Sequence, residues 1–288
     1  MSAPRSPTIA ISSWCLHRTV GLTWWDSPAK PAVEMEPYGS GTVAILDLPA
    51  EVARHGIDRL QVCHFHVANR DKAWLGEFRA ALADAGVRLQ TLLIDDADIT
   101  DPANHKRDVA WVAGWIDTAA MLGAENARVV AGKQKPTPEA LALSIAGLKK
   151  LAHRGKRQDV RVITENWFDL LSGADEVHHV LDRVGDDLGL LADFGNWKGQ
   201  TKYDELASIM PRAEDTHAKA SFGAKLSISG AMDSEDYGKC VAVADAAGYD
   251  GPYTLVYDGP DDDEWAGIEM EAQFIRDQLA DKAKRKSA

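Results

Sequence analysis

Cysteine is scarce in this chain. Cys15, Cys63 and Cys240 are the only three among 288 residues, odd in number and widely spaced, which argues against both a disulfide framework and a zinc ribbon and makes a reducing cytoplasm the default setting. Basic residues are short as well: 32 Lys and Arg against 44 Asp and Glu leave a net charge of −12. That balance disfavours a broad nucleic-acid surface, which needs a basic stripe, while leaving room for a local basic cleft. Long apolar runs are missing too. The first apolar stretch, beginning at Ile9, is too short for a signal or a membrane span, so neither export nor a membrane partner is expected. No arginine cluster or glycine-rich phosphate loop stands out. Gly39-Ser-Gly-Thr-Val-Ala44 superficially matches a dinucleotide fingerprint, but no apolar strand leads into it, and it reads as loop.

What is present is an alternation of short apolar strands and amphipathic helices. Strands are expected at Thr8 to Trp14, Arg59 to His66, Arg88 to Ile94, Ala127 to Ala131, Val162 to Glu165, Leu190 to Asp193, Asp215 to Lys219 and Tyr253 to Asp258. Helices fill the gaps, marked by Gly86 and Gly123 as C-caps, by Thr137-Pro138-Glu139 as a helix start, and by the stripe Leu141, Ile145, Leu148, Ala152. Eight such units predict a closed (β/α)8 TIM barrel, one α/β domain over residues 1–288 with frayed ends at 1–7 and 283–288. The long connection after the first strand, carrying Trp24 and Trp25, reads as a loop acting as a lid.

Three successive strands end in chemistry. Glu165, Asp193 and His217 stand at the tips of the fifth, sixth and seventh, where a barrel assembles its active site. Carboxylate and imidazole ligands together suit one divalent metal ion, with Mn, Mg, Co and Zn not distinguished. The plainer alternative is a structural hydrogen-bond network at the barrel mouth. Lys219 shares a strand side with His217 and is placed to protonate or polarise a substrate oxygen. Trp14, Trp167 and Trp197 lie just past strand tips, suited to the C–H faces of a sugar or to simple packing. His66 and Asp95 are further substrate-binding candidates, with helix capping the alternative for Asp95. Arg128 and Lys133 keep a phosphorylated substrate open, although an unphosphorylated one is favoured.

At Glu165-Asn-Trp, Asp193-Phe-Gly-Asn and His217-Ala-Lys the chain resembles the xylose isomerase-like TIM-barrel superfamily, the sugar phosphate isomerase/epimerase group, and the resemblance runs from Ile9-Ala-Ile-Ser-Ser-Trp14 to Gly251–Pro260. It implies that strands five to eight supply Glu, Asp, His and Glu to one metal. Glu165, Asp193 and His217 match the first three. Val256 stands at the fourth position, and Asp258, on the same side if the strand continues, is the candidate replacement. Asn196 and Trp167 occupy positions where many relatives have histidine, Gln61 one where glutamate is frequent. Asn196 is carried over as a substrate-binding residue.

The resemblance implies a metal-dependent sugar isomerase or epimerase acting on a small carbohydrate, with Glu165 and Lys219 as catalytic groups and a metal-stabilised enediolate. The missing glutamate shifts weight from an epimerase toward an isomerase, or toward a lyase or dehydratase acting by β-elimination on a keto-sugar or 3-keto-glycoside. An abasic-site endonuclease and a non-catalytic sugar-binding barrel are the other readings. Relatives of this kind often dimerise, so a homodimer is a possible assembly, though no patch in the sequence shows it.

Overall fold

The computed structural model describes residues 6–222, 232–260 and 262–287. Of the expected frayed ends, 1–5 and 288 lie outside the described residues. Eight parallel strands close a barrel: β1 (Ile9–Ser12), β4 (Arg59–Cys63), β5 (Arg88–Ile94), β6 (Asn126–Val129), β7 (Arg161–Glu165), β8 (Leu188–Asp193), β9 (Ala213–Ala218) and β10 (Tyr253–Leu255), each bonded to the next and β10 to β1. A strand in such a barrel is covered on both faces, which is why β8 is buried at every position although only its last residue is charged. Helices α2 (Leu48–Arg54), α3 (Lys72–Ala85), α4 (His105–Leu122), α5 (Pro138–Lys156), α6 (Ala174–Val184), α7 (Lys202–Ile209), α8 (Ser234–Ala246) and α9 (Glu264–Ser287) form the outer ring, with a single turn, α1 (His17–Val20), after the first strand. The caps act as the sequence implied. Thr137 accepts the Ala140 N–H at 3.2 Å, and Gly86 and Gly123 end α3 and α4 in the left-handed conformation. No helix among the described residues is long and apolar enough to cross a membrane.

The lid is not plain loop. β2 (Thr23–Ser27) and β3 (Lys30–Met35) make an antiparallel hairpin in which Trp24 lies opposite Glu34 and donates to its carboxylate at 3.1 Å. Trp25 stacks on Phe65 at 3.9 Å, and Asp26 accepts the Trp111 indole N–H at 3.2 Å, so one hairpin strand is clamped to the barrel mouth while β3 stays exposed.

Five barrel strands, β1, β4, β6, β9 and β10, stop earlier than their sequence pattern, and side chains take over backbone groups at the ends of β1, β4 and β10. The Ser13 hydroxyl accepts the Cys63 N–H at 2.9 Å and shares a hydrogen bond with His66 Nδ1 at 2.8 Å, turning the chain after β1 and β4 into 3-10 turns. Cys15 Sγ donates to the Leu255 carbonyl at 3.0 Å and accepts the Tyr257 N–H at 2.9 Å, which ends β10 at Leu255. Backbone groups that a longer strand would have paired are satisfied by side chains instead.

Two glycines test the packing of the outer ring. A Cβ at Gly155 in α5 would sit 2.5 Å from the Val160 carbonyl, whereas one at the exposed Gly76 of α3 would meet nothing within 4 Å. Helix propensity favours alanine at both by about 1 kcal/mol. Thermal melts are therefore expected to show Gly76→Ala raising the midpoint and Gly155→Ala lowering it, because overpacking against backbone costs about 1–3 kcal/mol.

Candidate active site at the barrel mouth

Glu165, Asp193 and His217 come together at the tips of β7, β8 and β9, all buried. Register places Asp193 beside His217 and Glu165 beside Leu191, so three neighbouring strands deliver the three side chains to one point. His217 Nδ1 lies 3.6 Å from Glu165 Oε1 and 3.4 Å from Asp193 Oδ2, and the ligand atoms of all three lie within 4.8 Å of one another. A cation about 2.1 Å from tetrahedral ligands sets them about 3.4 Å apart, so the donor set fits a divalent metal in chemistry and in spacing.

Each ligand is held from behind. Asp193 Oδ1 accepts the N–H groups of Gly195 and Asn196 at 2.6 and 2.9 Å, which leaves Oδ2 for His217. The Asn166 side chain brackets the Asp193 backbone, accepting its N–H at 2.7 Å and donating to its carbonyl at 3.2 Å. Asn196 Nδ2 donates to Glu165 Oε1 at 2.7 Å. Immediately past this tip Phe168 takes a φ of 58°, a costly conformation for a bulky residue, and stacks on Trp167.

Hydrogen-bond accounting orients His217. Gln61 Nε2 spends its protons on Asp215 Oδ2 at 2.7 Å and Thr254 Oγ1 at 3.0 Å, so its Oε1 can only accept, and it takes the His217 Nε2–H at 3.0 Å. Nδ1 is therefore the nitrogen presented to the carboxylates. Burial disfavours charge on the ring, but Glu165 and Asp193 outweigh it and raise the His217 pKa to about 9, so a proton on Nδ1 occupies the position a cation would take. Asp215, which anchors Gln61, is pushed up to about 6 by burial, yet it accepts from Gln61, Gln90, Thr254 and the Thr216 N–H, all bonds that suit the carboxylate.

The cluster opens into a cavity of about 290 Å³ whose wall includes Trp14, Trp25, Asp95, Arg128, Trp167, Asn196, Lys219 and Val256. Beyond it, a cleft of about 720 Å³ shares Trp167, Asn196 and Lys219 and reaches Trp197 and Asp258. Of the expected substrate-binding residues, Trp14, Asp95, Trp167 and Asn196 thus border the inner cavity. Trp197 borders only the outer cleft, its indole N–H donated to the Leu171 carbonyl at 3.0 Å. His66 borders neither. Its ring is fully buried against Ser13, past the end of β4 at Cys63.

Asp258 stands apart from the cluster. With β10 ending at Leu255, the alternation that would carry it inward is lost, and its half-exposed carboxylate pairs with Lys219 Nζ at 2.9 Å. Burial opposes charge on Lys219, but Asp258 and Asp193 outweigh it and hold the ammonium form. Arg128, which the sequence marked only as a phosphate candidate, is the group underestimated there. It is fully buried, with Nε 3.0 Å from Glu165 Oε2 and Nη2 bonded to Asp95 Oδ1. The signal was a lone arginine in the apolar strand Ala127-Arg-Val-Val-Ala131.

His66 carries a pH signature. Burial lowers its pKa from 6.5 to about 3, so the folded protein keeps the ring neutral while the unfolded chain protonates it. The unfolded state then binds more protons, and stability falls as pH drops from about 6.5 toward about 3. Urea melts at pH 7 and pH 5 are expected to lose about 2 kcal/mol more in the wild type than in His66→Gln, which has no group titrating there.

The family model described as xylose isomerase-like TIM barrel matches residues 49–278. No curated protein matches the chain. Solved structures share the fold at low identity. An L-ribulose 3-epimerase superposes with a TM-score of 0.70 at 17% identity, covering 97% of this chain and 96% of its own. A xylose isomerase-like TIM barrel protein from Mycobacterium smegmatis in complex with magnesium gives 0.67 at 18%, covering 97% and 98%. A 3-keto-D-glucoside 4-epimerase from E. coli gives 0.61 at 15%, covering 81% and 94%. The match over residues 49–278, on a closed barrel with its acidic and histidine cluster at the strand tips, makes this chain a member of the xylose isomerase-like TIM barrel family.

Proposed function

We propose that the protein is a divalent-metal-dependent enzyme that removes a proton next to a sugar carbonyl, in an isomerase or epimerase type of reaction. The observation that carries this reading is the buried Glu165, Asp193 and His217 cluster opening directly into an aromatic-walled cavity of about 290 Å³. A divalent cation held by these three residues would supply Lewis-acid polarisation of the carbonyl. Glu165 is the base: Oε1 faces His217 and Asn196, while Oε2, which lies 3.0 Å from Arg128 Nε but makes no hydrogen bond, is the oxygen that takes the proton. Lys219, bordering the same cavity as an ammonium, donates to the substrate oxygen. Trp14, Trp25 and Trp167 supply apolar faces for the sugar ring.

A second reading, a lyase acting by β-elimination on a keto-sugar, is favoured by the charge inventory. Epimerisation is served best by two opposed carboxylates. Here Val256 is apolar, Asp258 is paired with Lys219, and Asp95 is a weak base: burial would raise its pKa, but the Arg128 guanidinium brings it down to about 2. One base and one acid remain, which is what elimination needs.

Calorimetric titration with Mn²⁺ and Mg²⁺ is expected to show about one site in the wild type. His217→Ala should lose it and Asp258→Ala should keep it within about threefold, the opposite of a rebuilt fourth ligand. No metal binding by the wild type would leave the fold without this chemistry. With the metal supplied, NMR of ketoses and keto-glycosides in D₂O should show exchange at the carbon next to the carbonyl, reduced at least ~100-fold in Glu165→Gln. Isomerised products would support the first reading and unsaturated keto-sugars the second.

A further inference from the structure

Beyond the metal cluster, the inner cavity holds polar atoms with nothing to bond to. Trp14 Nε1, Asp95 Oδ2, Arg128 Nε and Glu165 Oε2 are all buried without a hydrogen-bond partner, and all four belong to residues on the wall of this one cavity. Arg128 Nε and Glu165 Oε2 lie 3.0 Å apart without the alignment of a hydrogen bond. Asp95 Oδ2 lies 3.5 Å from His64 Nδ1, but that nitrogen already accepts the Asp95 N–H at 3.2 Å and cannot also donate to the carboxylate. Trp14 Nε1 and Asp95 Oδ2 are left without a partner, which costs stability, and the ion pair leaves the hydrogen-bonding capacity of Arg128 Nε and Glu165 Oε2 unfilled, so a ligand on this wall has four atoms to answer.

The set comprises two donors and two acceptors. Hydroxyl groups donate and accept, and so can answer all four; a phosphate at neutral pH is rich in acceptors and would meet the carboxylates of Asp95, Glu165 and Asp193 on the same wall. Arg128 offers a phosphate little net charge, because Glu165 and Asp95 both lie against its guanidinium and Trp167 covers it, 5.1 Å from the ring centroid. Of the other basic residues of this region, Lys133 pairs with Asp96 at 2.9 Å and is absent from the cavity wall, and Lys219, which is on the wall, is paired with Asp258 at 2.9 Å.

We infer that Arg128, Asp95 and Trp14 form a hydroxyl-recognition subsite, which makes the substrate a sugar whose reacting portion is neutral and unphosphorylated. Arg128 is the hub: it holds Asp95 and Glu165 in place and presents Nε–H to a substrate oxygen beside the base. This rests on the carbohydrate reading of the cavity but not on which reaction follows.

The test is equilibrium binding, by calorimetry and saturation-transfer NMR, of D-ribulose, D-fructose and their terminal phosphates to the metal-supplemented protein. Neutral ketoses are expected to bind at least tenfold more tightly than the phosphates. Trp14→Phe, which removes one N–H and leaves the ion pairs intact, should weaken ketose binding severalfold. Arg128→Met should weaken it at least tenfold, and Arg128→Lys should not restore it, since an ammonium cannot span two carboxylates as a guanidinium does. Circular dichroism checks that the arginine variants fold; if they do not, the Trp14→Phe and ketose-against-phosphate comparisons decide. Phosphates binding more tightly than the free ketoses, no binding by either neutral ketose, or unchanged ketose affinity in Trp14→Phe and Arg128→Met would overturn the inference. Ketose binding with no proton exchange would instead overturn the proposed reaction and leave the subsite standing.

Discussion

Everything at the mouth of this barrel depends on burying opposite charges against one another. Glu165, Asp193 and Asp95 are enclosed with His217 and Arg128, and none would be tolerated in that setting alone. Each charge is held by at least one partner on a different strand. Arg128 on β6 pairs with Glu165 on β7, and His217 on β9 faces Asp193 on β8. The pairing offsets the cost of burying these charges while leaving their chemistry intact: Asp193 and Asp95 stay carboxylates, and His217 presents Nδ1 inward.

The support for this cluster reaches through the barrel interior. Asp215 holds Gln61, and Gln61 holds His217, so the orientation of one tip residue is decided by side chains from β4, β9 and β10. Gln90 closes the ring of donors around Asp215, while its own Oε1 is buried without a hydrogen-bond partner. The hairpin adds a second layer. Asp26 of β2 lies 3.7 Å from His64, whose other nitrogen contacts Asp95, and Asp95 bonds Arg128, so the clamped lid strand is linked by a chain of polar side chains to Glu165.

Glu165, Asp193 and His217 were legible from sequence because each closes a short apolar strand, and a closed parallel barrel brings all strand tips to one end. The same reasoning found Trp14, Trp167 and Lys219, which line the cavity together with Asn196, to which the family resemblance pointed. It failed where periodicity was carried past the true end of a strand. Asp258 was expected inward because alternation from Val256 pointed it there, yet the strand ends at Leu255, where Cys15, some 240 residues away, takes the backbone groups. His66 lies past the end of β4 at Cys63, where alternation gives no guide, and the Ser13 hydroxyl holds its ring away from both cavities. The hairpin was missed because its exposed strand, Lys30–Met35, buries no face and so carries no core pattern.

The sequence by itself determined the order of strands and helices, the barrel they close and the residue types at three tips, because these follow from local periodicity, caps and the burial of continuous apolar runs. Only the tertiary structure decided which tip residues share a cluster, where each strand stops and that Arg128 lies against Glu165. Those outcomes are set by hydrogen bonds and ion pairs between residues distant along the chain, whose strength depends on burial, and no local pattern encodes them.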